Sequence, residues 1–294
     1  KFQTFKTEKL VSKFAPKARY QRQTTAAEES QYEMIKNLEL DAAAHRQLLD
    51  HCDKAGIQFF STPFDPESVD LLADTFGLPC LKIASGEITN GPLLLKIAQT
   101  GKSTILSTGM STLGDIEQAL GVLAFGYLKS TKPPSLRDFQ EAYFSMEGQQ
   151  ALARRVRLLH CTTEYPAPID EVNLRTMDTL KAAFGLPVGF SDHTQGVAIS
   201  IAAAARGAQI IEKHFTLDRN LPGPDHRASL EPDELQEMIR SIRQVEKALG
   251  SPIKAPGFSE SKNMIVARKS LVAKKPIMAG ERFSIENVTV KRPG

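Results

Sequence analysis

Seven short runs along this chain are apolar on both alternating faces, and segments of helical spacing separate them. The runs occupy 1–5, 57–64, 80–87, 103–109, 157–165, 187–194 and 208–216. Continuous rather than alternating hydrophobicity predicts parallel strands covered by helices. Apolar residues at i, i+3 and i+4 predict helices over 68–76, 92–100, 113–125, 172–184 and 231–250. Pro232 near the start of the last one and Gly250 at its end are the expected start and stop residues.

Such alternation suits either a (β/α)8 barrel or a doubly wound sheet. The strand ends decide between them. Nearly every run finishes in chemically capable residues: "SGE", "STGM", "CTTEY", "SDHT" and "EKHFT". A barrel gathers all its strand C-termini at one mouth, whereas a doubly wound sheet uses only those at its switch point. The expected fold class is therefore α/β, a (β/α)8 TIM barrel whose first strand and helix would precede Lys1. Residues 1–252 are assigned to the barrel and the Pro/Gly/Ser-rich stretch 253–263 to a linker. Residues 264–294 read as the beginning of a small domain of strands and turns. The segment 127–155 is expected to decorate the barrel rim.

Composition narrows the function classes. The net charge of +3 is too small and too mixed for a nucleic-acid partner. Its distribution is uneven, with nine Lys/Arg against three Glu from Lys254 onward, and a solvated basic surface is the expectation there. No apolar run approaches the roughly 18 residues of a membrane span. Cys52, Cys80 and Cys161 lack zinc or redox spacing, which predicts reduced thiols and a cytoplasmic protein.

The candidate chemistry lies at the strand ends. His193 and His214 close adjacent runs, so a barrel brings them together, where two imidazoles suit a divalent metal that polarises a carbonyl. Lys82 and Lys1 stand inside apolar runs, where an unpaired ammonium is costly and an anion clamp or Schiff-base amine are the common uses. Alternation aims Lys213 at the face opposite to His214. Thr62, Ser85, Ser107, Thr108 and Ser191 form a group of hydroxyls able to hold phosphate or carboxylate oxygens. The stiff loop "LPGPDHRAS" presents Asp225 and His226, either as a binding carboxylate or as an ordinary turn.

The stretches "KFQTF", "FSTPFD", "LKIASGE", "LSTGMS", "HCTTEYPAP", "GFSDHT", "IEKHFTLD" and "GPDHRAS" resemble the sialic acid synthase family, in family order over essentially the whole chain. The tail from Ser270 resembles the start of that family's antifreeze-like domain. The resemblance implies condensation of phosphoenolpyruvate with an N-acetylmannosamine-type sugar. The alternative acceptor is the diacetamido-trideoxy hexose of legionaminate or pseudaminate synthases. It implies Mn²⁺ or Mg²⁺ on His193 and His214, and a catalytic set of Glu87, Asp225, His193 and His214. Lys1, Lys82, Thr62, Ser85, Ser107 and Ser191 would hold the enol's phosphate and carboxylate. Gln3, Glu87, Tyr165 and Asp225 would contact the sugar. Where the family usually has an asparagine before the Tyr-Pro pair, this chain offers Thr162 and Thr163, so one phosphate contact would be altered or made by a hydroxyl, with Thr163 counted among the substrate-binding residues. The family's first strand and most of its antifreeze-like domain, which reaches the neighbouring subunit's site in a homodimer, are not in this chain. A Schiff-base aldolase using Lys82 and a non-catalytic sugar-acid binding module are the remote alternatives.

Overall fold

The computed structural model describes residues 1–18, 21–22, 25, 28–129 and 132–292. They divide into two compact units, Lys1–Ala248 and Leu249–Gly294. The first unit contains seven strands: β1 (Phe2–Thr4), β2 (Ser61–Pro63), β3 (Cys80–Ile83), β4 (Ser103–Ser107), β5 (Val156–Cys161), β6 (Val188–Asp192) and β7 (Ile211–Lys213). All pairings are parallel. β1 joins β2, and β3 to β7 form one five-stranded sheet in sequence order. Sequential parallel order with intervening helices is the barrel arrangement, so every strand C-terminus opens on the same rim.

Each of the seven expected runs overlaps a strand shorter than the run; β5 starts one residue early, at Val156, and β2 and β7 are shortened at their starts as well as at their polar ends. The core lies between strands and helices, where Leu81, Ile83, Leu94, Ile97, Leu106, Leu123 and Leu158 are at most 1% exposed. Helix Leu113–Tyr127 starts on a Thr112/Asp115 capping box, a device of about 1 kcal/mol. Its Gly126 is a packing requirement: a Cβ there would lie 2.5 Å from Ala98 Cβ of helix Gly91–Gln99.

Several helices depart from expectation. The segment expected over 68–76 begins earlier, at Pro66–Asp70, and widens into a π turn over Leu71–Thr75. The helix expected from 172 starts only at Thr176, because a 3-10 turn over Ile169–Glu171 and a left-handed Asn173 (φ 49°) precede it. Helices Gln31–Lys36, Ala42–Lys54 and Ala198–Ala205 were not expected. The segment 127–155 does not decorate the rim. Its helices Leu136–Phe144 and Met146–Arg155 thicken the helical layer, with Phe139 edge-on to Phe125 at 5.3 Å.

In the second unit, β8 (Ser270–Ala273) pairs antiparallel with β9 (Val288–Lys291). Asn287, 2% exposed, closes the intervening turn by donating to Glu281 and to the Arg282 carbonyl, both at 3.0 Å. Part of the stretch expected as linker, 253–263, is helical, because helix Phe258–Ala267 begins within it. Residues 293 and 294 of the expected second domain lie outside the described residues.

Candidate active site

The strand ends surround a cavity of about 270 Å³ in the first unit. Its lining brings together Lys1, Gln3, Thr62, Lys82, Ser85, Ser107, Thr163, Tyr165, Ser191, His193, His214 and Asp225 from β1 to β7 and the loops that follow. Parallel register does part of this work: Gln3 pairs with Thr62, and Cys161 with Ser191.

One residue that sequence reasoning missed organises the charged end. Glu212 of β7 accepts from Lys82 Nζ at 3.1 Å and Ser191 Oγ at 2.7 Å, and its other oxygen lies 3.2 Å from Lys1 Nζ. Burial alone would raise the Glu212 carboxyl, but the Lys82 and Lys1 ammoniums and the Ser191 hydroxyl outweigh it and hold it below the usual carboxylate range. Two ammoniums on one carboxylate leave this end with a net positive charge. The signal was present in "QIIEKHFT": the alternation that turns Lys213 outward turns Glu212 inward with His214. Lys213 does face away, pairing at 3.0 Å with the fully buried Asp192.

Three buried hydroxyl oxygens of the lining, on Thr62, Ser107 and Thr163, have no hydrogen-bond partner. Buried hydroxyls seldom lack a protein partner, and three converging on a cavity that also holds Lys82 and Lys1 are able to donate to an anion. Ser85 lies among them, with Oγ accepting from Gly109 N–H at 3.0 Å and touching Cys161 Sγ at 3.0 Å. A Cβ on Gly109 would meet Thr163 Oγ1 at 2.3 Å, so only glycine admits this close approach.

The two histidines meet. Their ring centroids are 5.4 Å apart, and the Tyr165 ring lies 4.3 Å from His193 and 5.4 Å from His214. His193 Nδ1 donates to the Thr162 carbonyl at 2.6 Å, which fixes the tautomer and leaves the Nε2 lone pair available. Burial lowers the His193 imidazole despite that bond. Burial, reinforced by His193, takes His214 down to about 4. Both rings are therefore neutral near pH 7, as metal ligation requires. Asp225 Oδ2 stands 3.7 Å from His214 Nδ1, and burial raises its carboxyl. Among the described residues, no group of three or more His, Cys, Asp or Glu side chains is arranged to hold a metal ion. Two neutral imidazoles with open positions would suit a divalent ion that takes its other ligands from substrate and water oxygens.

Glu87, which the resemblance counts among the catalytic and sugar-contacting residues, lies outside the described lining of this cavity. β3 ends at Ile83, and Ser85–Glu87 is a 3-10 turn. The Glu87 carboxylate accepts from Asn90 Nδ2 at 2.7 Å.

The chain matches the NeuB family model over residues 1–254 and the SAF domain model over 268–294. It is 53% identical over 293 residues to an N,N'-diacetyllegionaminic acid synthase from Campylobacter jejuni, covering 100% of this chain and 80% of that protein. The enzyme of the same name from Legionella pneumophila is 40% identical over 294 residues, covering 100% and 76%. A crystal structure of N-acetylneuraminic acid (sialic acid) synthetase from Leptospira borgpetersenii, in complex with citrate, superimposes with a TM-score of 0.68. That match has 30% identity and covers 90% of this chain and 78% of that one. A barrel carrying this site, followed by an antifreeze-like SAF segment, belongs to the NeuB family of sialic acid-type synthases.

Proposed function

We propose that this protein condenses phosphoenolpyruvate with the open-chain diacetamido-trideoxy hexose used by legionaminate synthases. The observation that carries the anionic half of this reading is the set of unpartnered Thr62, Ser107 and Thr163 hydroxyls beside Lys82 and Lys1. Phosphoenolpyruvate brings a phosphate and a carboxylate. The hydroxyls donate to their oxygens and the two ammoniums offset their charge in a site shielded from water, where such pairs gain strength. Glu212 fixes both ammoniums before the substrate arrives, so little reorganisation remains at the moment of reaction.

The enol's C3 attacks the aldehyde carbon, water adds at C2, and phosphate leaves with cleavage of its C–O bond. His193 and His214 would hold Mn²⁺ or Mg²⁺, and the bound ion would draw charge from the aldehyde oxygen. Asp225, with its raised carboxyl, and Tyr165 would face the sugar, together with Gln3 from β1. Holding both substrates in one cavity supplies the entropic share of the acceleration.

Among the acceptors, the two legionaminate relatives favour the diacetamido-trideoxy hexose over N-acetylmannosamine. A homodimer that exchanges its antifreeze-like domains belongs to this reading and is checked by the mass of the full-length protein in solution. Three free cysteines suit a reducing cytoplasm. Among the described residues, no helix is long and apolar enough to cross a membrane. The test is phosphate release by the full-length protein with Mn²⁺ and each sugar in turn. Fastest turnover with the diacetamido-trideoxy sugar is expected, and a preference for N-acetylmannosamine would reassign the acceptor.

A further inference from the structure

One side of the cavity takes no part in holding anions. Phe5, Leu10, Met34, Ile35, Leu38 and Phe64 line it. They belong to the β1–β2 end of the barrel, whereas most of the charged and hydroxyl groups come from β3 to β7. Phe5 and Phe64 each follow directly on a strand, and Phe64 N–H donates to the Thr4 carbonyl at 3.1 Å. Their rings meet edge to face at 6.2 Å. Met34 and Ile35 lie on helix Gln31–Lys36, whose start is fixed by a Ser30/Glu33 capping box, and Leu38 follows its cap. Among the described residues, Gln21 also lines the cavity from the same stretch of chain and turns its amide oxygen to Ala18 N–H at 2.9 Å.

A wall of this kind discriminates by chemistry. A hydroxyl pressed against it loses water and finds no acceptor, whereas a methyl group loses nothing. The aldehyde carbon of an open-chain acceptor has to sit by His193 and His214, which places C6 at the far end of the sugar. N-acetylmannosamine ends there in a hydroxymethyl group, and the diacetamido-trideoxy hexose ends in a methyl group. The acetamido groups are poorer candidates, because their N–H and C=O need partners that these six side chains do not supply. We infer that Phe5, Leu10, Met34, Ile35, Leu38 and Phe64 receive the C6 methyl end of the acceptor and select a 6-deoxy sugar. The inference rests on the synthase reading of the cavity.

The experiment compares two acceptors that differ only at C6: 2,4-diacetamido-2,4,6-trideoxymannose and its 6-hydroxy counterpart. The full-length protein with phosphoenolpyruvate and Mn²⁺ is expected to favour the 6-deoxy sugar in kcat/KM by about 10- to 100-fold, the range open to an apolar pocket. Met34→Gln and Leu38→Gln should bring that ratio down several-fold, mainly through KM for the 6-deoxy sugar, while Met34→Leu keeps it. Leu38 is 51% exposed, so its variant is a safe control for folding. Equal turnover of the two sugars by the unmodified protein overturns the inference and leaves the synthase reading intact. So does an equal slowing of both sugars by the two Gln variants. No phosphate release with either sugar contradicts the synthase reading itself, and the inference with it.

Discussion

Glu212 Oε2 lies 3.1 Å from Lys82 Nζ in the floor of the cavity, with the lysine side chain only 5% exposed. The pair fixes the charge of the site before any substrate enters. Removing one partner of a buried ion pair leaves the other uncompensated and typically costs about 3–5 kcal/mol. Glu212→Gln keeps a hydrogen bond to Ser191, so a loss near the lower end of that range is expected in chemical denaturation. Phosphate release should fall steeply as well, because Lys82 and Lys1 lose the anchor that aims them.

The unpartnered hydroxyls give a prediction with opposite signs. Thr62→Val, Ser107→Ala or Thr163→Val removes a buried polar atom that has no hydrogen-bond partner within the protein. Each should therefore leave stability unchanged or raise it by up to about 1 kcal/mol. Each should also weaken phosphoenolpyruvate binding, by about 0.5–1.5 kcal/mol for a neutral hydrogen bond and more for one to a charged group. Denaturation and calorimetric titration on the same variants decide. Lower stability with unaltered binding would make these hydroxyls packing atoms.

How much of this was legible depended on where each residue stands. The strands were legible because burial on both faces leaves a continuous apolar run. The meeting of His193 and His214 followed from parallel order, since matched strand ends share one rim. Glu212 was legible in principle from its alternation with His214, yet it is embedded in an apolar run beside the more conspicuous Lys213. Glu87 lies past the strand end, where a 3-10 turn sets its direction and local pattern is silent. Helix Ala42–Lys54 is polar overall and its buried residues are His45 and Cys52 rather than conspicuous hydrophobes, so its amphipathic face was passed over. The apolar wall was beyond sequence, because it exists only once the segment between β1 and β2 folds beside the mouth.

Behind the sheet, Asp192 tests what holds the histidines in place. It is fully buried and accepts from Thr194 N–H at 2.8 Å, Thr194 Oγ1 at 2.7 Å, Ser200 Oγ at 2.6 Å and Lys213 Nζ at 3.0 Å. These bonds tie the end of β6 to helix Ala198–Ala205 and to β7. Asp192→Ala should cost about 3–5 kcal/mol in chemical denaturation, since it strands the Lys213 ammonium. Asp192→Ala with native stability would show that the network is dispensable.

Glu39 supplies the acid side of the stability profile. Burial alone would raise its carboxyl, but hydrogen bonds from Thr7 N–H, Lys36, Thr7 Oγ1 and Lys6 bring it down to about 2. The unfolded chain therefore binds more protons than the folded one between about 4.5 and 2. The stabilisation is complete above that window and is lost as pH falls through it. Glu39→Gln should flatten this limb of the curve in denaturation measured across pH, and an unchanged slope would remove Glu39 from the account.

The central claim is that a phosphoenolpyruvate-consuming reaction runs at the junction of the cationic floor and the His193–His214 pair. Its most direct test is phosphate release from phosphoenolpyruvate by the full-length protein, with and without acceptor and chelator, for the unmodified protein and His193→Ala. Release that requires the acceptor, stops on chelation and disappears in His193→Ala is the predicted result. Acceptor-dependent release that survives both chelation and His193→Ala would contradict it.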